Sequence, residues 1–382
     1  MSASFLTEDH EMFRMSLRKM LEKHAYPYYK KWENDRQISR DIWLKLGESG
    51  FLLSWVDEKY GGLGLDFSYS MVLIEELEKV GAGLASGICL HCDIVTPYIN
   101  AYGTEAQKKK WLSKSVTGDF ISAVAMTEPG VGSDLASVKT TAKREGDYYI
   151  LNGEKTFITN GHHADYVIVV CKTDPQAVPA HRGISLLVIE DGMEGFSRGA
   201  QLNKIGMHSG DTGELIFEDV KVPAENLLGE EGKGFYYLMD QLQQERLVVA
   251  LQVQVEAEVM LKLTVDYVKE RKAFGSRIAD FQNTQFKIAE MATEIDLGRN
   301  YINTLTEKHL QGEEIVKEVS MVKWWISEMA KRVAAECMQL HGGYGYMEEY
   351  EIARRYRDIP VTSIYAGTTE IMKNIIAKKI LS

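Results

Sequence analysis

Charged and apolar residues follow the i, i+3, i+4 spacing of amphipathic helices from residue 8 to about residue 114. The pattern breaks at Tyr60-Gly61-Gly62-Leu63-Gly64 and again near Tyr102-Gly103-Thr104. From about Phe120 the period shortens to that of strands. Residues 121–125 form one apolar run, and residues 148–151 and 156–159 flank Asn152-Gly153, which predicts a hairpin around an Asn-Gly turn. Residues 165–170 and 184–189 predict two more strands; Leu215-Ile216-Phe217 with Val220 and Val222 adds another, ended by Pro223. Successive short strands with turns between them predict a small barrel or sandwich rather than a parallel βαβ sheet. After Gly234 the helical period returns over about 235–271, 281–311, 315–340 and 369–381, with breaks at Gly275 and Gly342-Gly343. Four long amphipathic segments suit a bundle.

The expected fold class is therefore α+β and multidomain: an all-α domain over 1–119, a middle β-barrel or sandwich over 120–230, and a C-terminal four-helix bundle over 231–382. A chain of 382 residues, 45% hydrophobic, can fill two or three cores. No run of uncharged apolar residues approaches the ~20 needed to cross a bilayer, so no membrane insertion is expected. Glu8, Asp9, Glu11 and Glu22 among the early cations exclude a secretory signal and argue against an uncleaved transit peptide. The expected setting is the cytoplasm for a bacterial chain, or the mitochondrial matrix for a processed eukaryotic one. A net charge of -11 argues against a general nucleic-acid binder but leaves room for phosphorylated cofactors. Four cysteines, Cys89, Cys92, Cys171 and Cys337, are too few for a disulfide framework and suggest a reducing compartment.

Several segments carry candidate chemistry. Met126-Thr127-Glu128-Pro129-Gly130-Val131-Gly132-Ser133-Asp134 follows an apolar run, and its bare N–H groups and hydroxyls suit a flavin edge or a phosphate. By spacing alone an ordinary strand-to-loop exit serves equally. Arg271 closes a long helix, where it complements the helix C-terminus or binds a pyrophosphate. Gln339-Leu340-His341-Gly342-Gly343 is a helix end with a glycine cluster, either a simple cap or a close approach of backbone to a nucleotide. Glu245 is the sharpest signal, because it shares a helical face with Leu238, Leu242, Val249 and Val253. A carboxylate there is expensive unless paired or functional, and burial would move its pKa toward the ~6–7 that suits a general base. The alternative is a stripe edge where it reaches solvent or a neighbouring cation. Cys89-Leu90-His91-Cys92 has metal-type spacing without a second pair and reads as buried helix cysteines, so no metal is expected. His162-His163 reads as a loop pair.

Four motifs in register give the chain a resemblance to the acyl-CoA dehydrogenase family from first helix to C-terminus. They are Ala125-Met126-Thr127-Glu128-Pro129-Gly130-Val131-Gly132-Ser133-Asp134, Leu151-Asn152-Gly153-Glu154-Lys155-Thr156-Phe157-Ile158-Thr159-Asn160, Gln339-Leu340-His341-Gly342-Gly343-Tyr344-Gly345, and Tyr365-Ala366-Gly367-Thr368-Thr369-Glu370-Ile371. The resemblance implies bound FAD with the acyl-CoA thioester against the flavin. It places Met126, Thr127 and Ser133 along the isoalloxazine and pyrophosphate, and Phe157 and Thr159 near the ring. Arg271, Gln282, Gln339, Gly342 and Gly343 would hold the FAD, partly from a neighbouring subunit, with Thr368 and Glu370 completing the site.

The chain departs from most of the family at Ala366, where the others carry the catalytic glutamate. The long-chain and isovaleryl branches resemble it in lacking that acid and place the base on a helix, at the position of Glu245. The implied reaction is α,β-desaturation, with the enolate oxygen held by a flavin hydroxyl and the backbone N–H of residue 366. Ser133, Ala180, His181, Tyr236, Arg246, Ala366 and Gly367 are the implied substrate contacts. Electron-transferring flavoprotein as acceptor and a homotetramer built on the C-terminal bundle are implied likewise. Medium- or long-chain and branched acyl groups all remain open. The rival readings are a flavin oxidase or monooxygenase on the same fold, and a non-catalytic flavin-binding assembly protein.

Overall fold

In the computed structural model, which describes residues 5–381, helices α1 (Glu8–His24), α2 (Tyr26–Asp35), α3 (Arg40–Glu48), α4 (Phe67–Val80), α5 (Ala82–Cys89), α6 (Thr96–Tyr102) and α7 (Glu105–Val116) form the N-terminal layer. The break near Gly103 is a helix start: Thr104 Oγ1 accepts from Gln107 N–H while Gln107 Oε1 accepts from Thr104 N–H, a reciprocal cap. A π-helical turn, Leu90–Val95, joins α5 to α6. The wider turn rotates α6 out of phase with α5 and so changes which of its side chains face the rest of the protein. The stretch Ala82–Tyr102 is long and apolar enough to cross a membrane by length and composition, but most of it is buried inside the fold.

Eight strands follow: β1 (Ser122–Ala125), β2 (Thr141–Glu145), β3 (Tyr148–Thr159), β4 (Tyr166–Lys172), β5 (Ile184–Glu190), β6 (Phe196–Gln201), β7 (Thr212–Pro223) and β8 (Leu227–Leu228). Their order is β6-β7-β3-β2-β4-β5-β8, mostly antiparallel, with β1 parallel to β4. Alternation along the strands divides the burial. Val167, Val169, Leu187 and Ile189 meet Tyr149, Leu151, Leu215 and Phe217 in the core of the β domain. Tyr166, Ile168, Val170, Leu186 and Val188 face the other way, into the core shared with the helices.

One expectation fails here. Asn152-Gly153 is not a hairpin turn: β3 runs straight through it, with Asn152 opposite Thr141 and a register shift against β7 between Leu151 and Gly153. The chain reverses at Gly146-Asp147 instead, where Gly146 has φ +63. Gly153 is needed for close approach, since a Cβ there would lie 2.8 Å from Thr140 Cα. Asn152 fastens the bulge by accepting from Asp219 N–H at 2.8 Å. Pairing on both sides of β3 outweighs the local turn preference. Strands β2 and β6 lack a recognisable apolar alternation and escape sequence reading.

The C-terminal region holds α8 (Gly234–Glu270), α9 (Gln282–Leu310), α10 (Val316–His341), α11 (Glu351–Asp358) and α12 (Thr369–Leu381). Between α8 and α9, β9 (Lys272–Ala273) and β10 (Ser276–Arg277) form a tight hairpin with positive φ at both Phe274 and Gly275. Helix α8 is the spine, buried almost without interruption from Glu245 to Ala257. Charges seal its joints with the N-terminal layer. Glu75 of α4 binds Arg14 of α1 and Arg299 of α9, each at 2.7 Å, and Arg299 also binds Glu258 of α8 at 2.7 Å. Deeper in, Arg355 of α11 pairs with Glu256 and Glu351 and donates to the Lys79 carbonyl at 2.8 Å. Beside it, burial and the neighbouring Glu256 push the Glu78 carboxyl well above the usual range. Arg355→Met should therefore leave buried acids uncompensated and lower the unfolding free energy by about 3–5 kcal/mol. Equilibrium denaturation checks this; a loss under about 1 kcal/mol would mean that the acids neutralise themselves by protonation.

Candidate active site

Glu245 stands on the α8 face that also carries Leu238, Val249 and Val253, and is only 5% exposed. Its Oε1 accepts a hydrogen bond of 2.7 Å from the Tyr98 hydroxyl on α6. Withdrawal from water raises its pKa to about 7, against the opposing pull of the Tyr98 hydrogen bond and the Arg246 charge. Tyr98 is itself buried, which keeps its hydroxyl protonated and donating. Arg246 is buried beside it without an ion pair among the described residues, and its Nε has no partner. Burial lowers its pKa while Glu245 holds it up.

Across from α8, Lys323 of α10 is fully buried. Its ammonium donates to the Gly367 carbonyl at 2.6 Å. Burial, and then the Arg246 charge, bring its pKa down to about 8, with Glu328 opposing. The loop that it holds is unusual in its backbone. Ala366 has φ +51 and Gly367 φ +94. An L-residue in that region costs roughly 1–2 kcal/mol. The Ala366 N–H has no hydrogen-bond partner among the described residues. Thr368 Oγ1 accepts from Ile371 N–H at 3.3 Å and so caps α12, with Glu370 exposed in its first turn. Lys323 thus fastens the Ala366–Gly367 loop to α10, which packs against α8, the helix that carries Glu245 and Arg246.

A second group lies on the β domain. The Met126 carbonyl accepts from Lys155 Nζ at 3.0 Å, and the Thr127 carbonyl accepts from Thr156 N–H at 2.9 Å. Glu128 is the anchor of this loop: it accepts from Lys155 Nζ at 2.9 Å and from Thr140 Oγ1 at 2.7 Å. Burial alone would raise its pKa, but the Thr140 and Lys155 contacts hold it below the usual value. Next along β3, Phe157 adopts φ +60 and leaves its ring 67% exposed, with half-buried Thr159 following. Ser133 is exposed farther along the loop.

A third group is Arg271, Gln282, Gln339, Gly342 and Gly343, all exposed. The Arg271 guanidinium lies over the Tyr344 ring at 5.4 Å, and the space at Gly342 and Gly343 is open. No hydrogen bond or ion pair among the described residues joins this group to the Phe157 strand. His181 and Tyr236 meet at 3.3 Å between ring nitrogen and hydroxyl, with Ala180 exposed alongside.

Cys89, His91 and Cys92 are buried helix residues; burial keeps both thiols protonated, and His91 bonds Ser122 and Ser115. His163 is more than a loop residue, because it contacts the Asp211 carboxylate at 2.8 Å, a partner remote in sequence. Two contributors escaped sequence reading. Tyr98 carries no signal, being one aromatic on an apolar helix. Lys323 does carry one: with Val319, Val322, Ile326 and Ala330 it occupies an apolar face, the same pattern that singles out Glu245.

The family models described as acyl-CoA dehydrogenase N-terminal, middle and C-terminal domain match residues 7–119, 123–220 and 232–381 in that order. The chain is 47% identical over 377 residues to the mitochondrial long-chain specific acyl-CoA dehydrogenase of Mus musculus, covering 98% of this chain and 87% of that one. It is 38% identical to the isovaleryl-CoA dehydrogenase of Pongo abelii, covering 98% and 89%. An acyl-CoA dehydrogenase structure from Geobacillus kaustophilus superposes with a TM-score of 0.98 at 66% identity, covering 99% of this chain and all of that one. Matched through all three domains, this chain belongs to the acyl-CoA dehydrogenase family of flavoprotein oxidoreductases.

Proposed function

We propose that the chain is an FAD-dependent dehydrogenase of long-chain or branched acyl-CoA, with Glu245 as the base. The observation that carries this reading is a buried carboxyl whose pKa is lifted to about 7, in a chain whose loop residue at the usual acid position is Ala366. The long-chain and isovaleryl specificities for which the relatives are named support the substrate class.

The residues present fit FAD. An aromatic ring held at positive φ and left two-thirds bare suits stacking against a flat heterocycle. Met126, Thr127, Ser133 and Thr159 would line the same edge. The open glycines at 342 and 343, with Arg271, Gln282 and Gln339, suit a nucleotide and its pyrophosphate. No hydrogen bond or ion pair among the described residues joins that patch to the Phe157 strand, and it would serve the cofactor of a neighbouring subunit, with Thr368 and Glu370 completing the enclosure. Bound FAD supplies the two-electron acceptor for the β-hydrogen. Phe274, Phe286 and Leu297 are exposed near α9 and suit a homotetramer through the bundle, which light scattering would register as four chains. Electron-transferring flavoprotein is the proposed acceptor.

The chain's own part is proton transfer and charge placement. Ionised Glu245 takes the α-proton of the thioester, and its apolar surroundings favour giving up the negative charge. The unpartnered Ala366 N–H donates to the thioester oxygen, where charge develops. Arg246 favours that charge from nearby, and Ser133, Ala180, His181, Tyr236 and Gly367 would contact the rest of the substrate.

Glu245→Gln should keep FAD but slow acyl-CoA-dependent flavin bleaching by about 10²–10⁴-fold; bleaching at the parent rate rejects the base. Restoring a glutamate with Ala366→Glu in that background should recover part of the rate. Since the base acts ionised, kcat/KM should rise with pH through a midpoint near 7. Tyr98→Phe removes a donor to the carboxylate and should move that midpoint up by about one pH unit. An unmoved profile would assign the limb to another group. Rapid reoxidation of the reduced flavin by oxygen would favour an oxidase instead.

A further inference from the structure

We propose that Lys323 is a positioning residue for the oxyanion contact: by holding the Gly367 carbonyl it keeps the Ala366–Gly367 loop in its left-handed form, with the Ala366 N–H presented to the substrate thioester. The inference rests on the activity proposed above. Its basis is geometric. Lys323 is fully buried, and among the described residues its ammonium donates to the Gly367 carbonyl alone, at 2.6 Å. A lysine is seldom withdrawn from water unless its charge does something in return. Here it adjoins two consecutive residues at positive φ, one of them an alanine with no intrinsic preference for that region. The Ala366 N–H has no partner among the described residues, so its direction follows the conformation of the loop backbone. The Gly367 carbonyl belongs to the Gly367–Thr368 peptide, two peptides on from the one that carries the Ala366 N–H, and the ammonium fixes it, so that the two left-handed residues between are held from that end.

The charges around the ammonium agree with this role. Burial, and then Arg246 on α8, favour loss of its proton, while Glu328 on its own helix opposes them. A charge-assisted bond to a carbonyl dipole offsets part of that burden. Lys323 ties the loop to α10, and α10 packs against α8, the helix that carries Glu245, so the bond also places the loop relative to that helix.

The test uses the flavin-loaded protein. Lys323→Met removes the donor but keeps an apolar stem of similar length. It should lower kcat for acyl-CoA-driven flavin reduction by about 10–100-fold, with KM changed by less than about threefold, since only the developing charge loses its donor. Amide hydrogen exchange at residues 366–368 should speed up by about tenfold. Adding Ala366→Gly to Lys323→Met should leave exchange fast and turnover low, because glycine relieves φ without restoring the grip, whereas Lys323→Arg, which keeps a charged donor, should recover part of kcat. If Lys323→Met fails to load flavin, Lys323→Leu, which also lacks a donor, is read the same way. Parent kcat with parent exchange rates overturns the proposal, as does a loss confined to KM. If no acyl-CoA reduces the flavin of the parent protein, the activity reading fails, and the exchange arm still decides whether Lys323 holds the loop.

Discussion

A carboxyl group kept out of water and given one hydroxyl for company is the constraint around which the rest of the site is arranged. Lifting Glu245 from about 4.5 to about 7 corresponds to roughly 3 kcal/mol spent against ionisation. A stronger ion pair would have cancelled that lift and left an inert carboxylate; no contact at all would have kept the group neutral. The single bond from Tyr98 and an Arg246 that approaches without pairing leave it between these limits. The π-helical turn ahead of α6 decides which side chain of that helix faces α8.

Helix α8 bears this arrangement because it is braced by charge along its length. Glu258 is tied through Arg299 and Glu75 to the N-terminal layer, and Glu256 is tied to Arg355. Such pairs add little net stability when compared with apolar packing, but once buried they cannot be broken cheaply. They therefore fix register more than they add stability. The same helix turns Glu245 inward three to four turns before those anchors, so that small motions of the base are resisted by bonds to α9 and α11 and, through Arg299, to α4.

The β domain contributes surface rather than depth. The Glu128–Lys155 bond locks the loop after β1 onto β3, and the bulges of β3 release Phe157 from the sheet's regular alternation. An aromatic at positive φ on an exposed edge is costly for the isolated chain and is tolerated where a planar partner can repay it.

Much of this was written in the order of residue types. The change of period from helix to strand and back, and an acid on the apolar stripe of α8, are local patterns, legible without coordinates because burial of one face dictates spacing. The same rule would have exposed Lys323. Asn152-Gly153 misled because a turn signal is a local preference, and two flanking strands paired more strongly than a turn could repay. Nothing local marks Tyr98 as a partner of a residue 147 positions away, nor the left-handed φ of Ala366. Those depend on where separate helices come to rest. The types of group available for chemistry were determined by the sequence alone; their protonation, direction and companionship were decided only when packing removed the water between them.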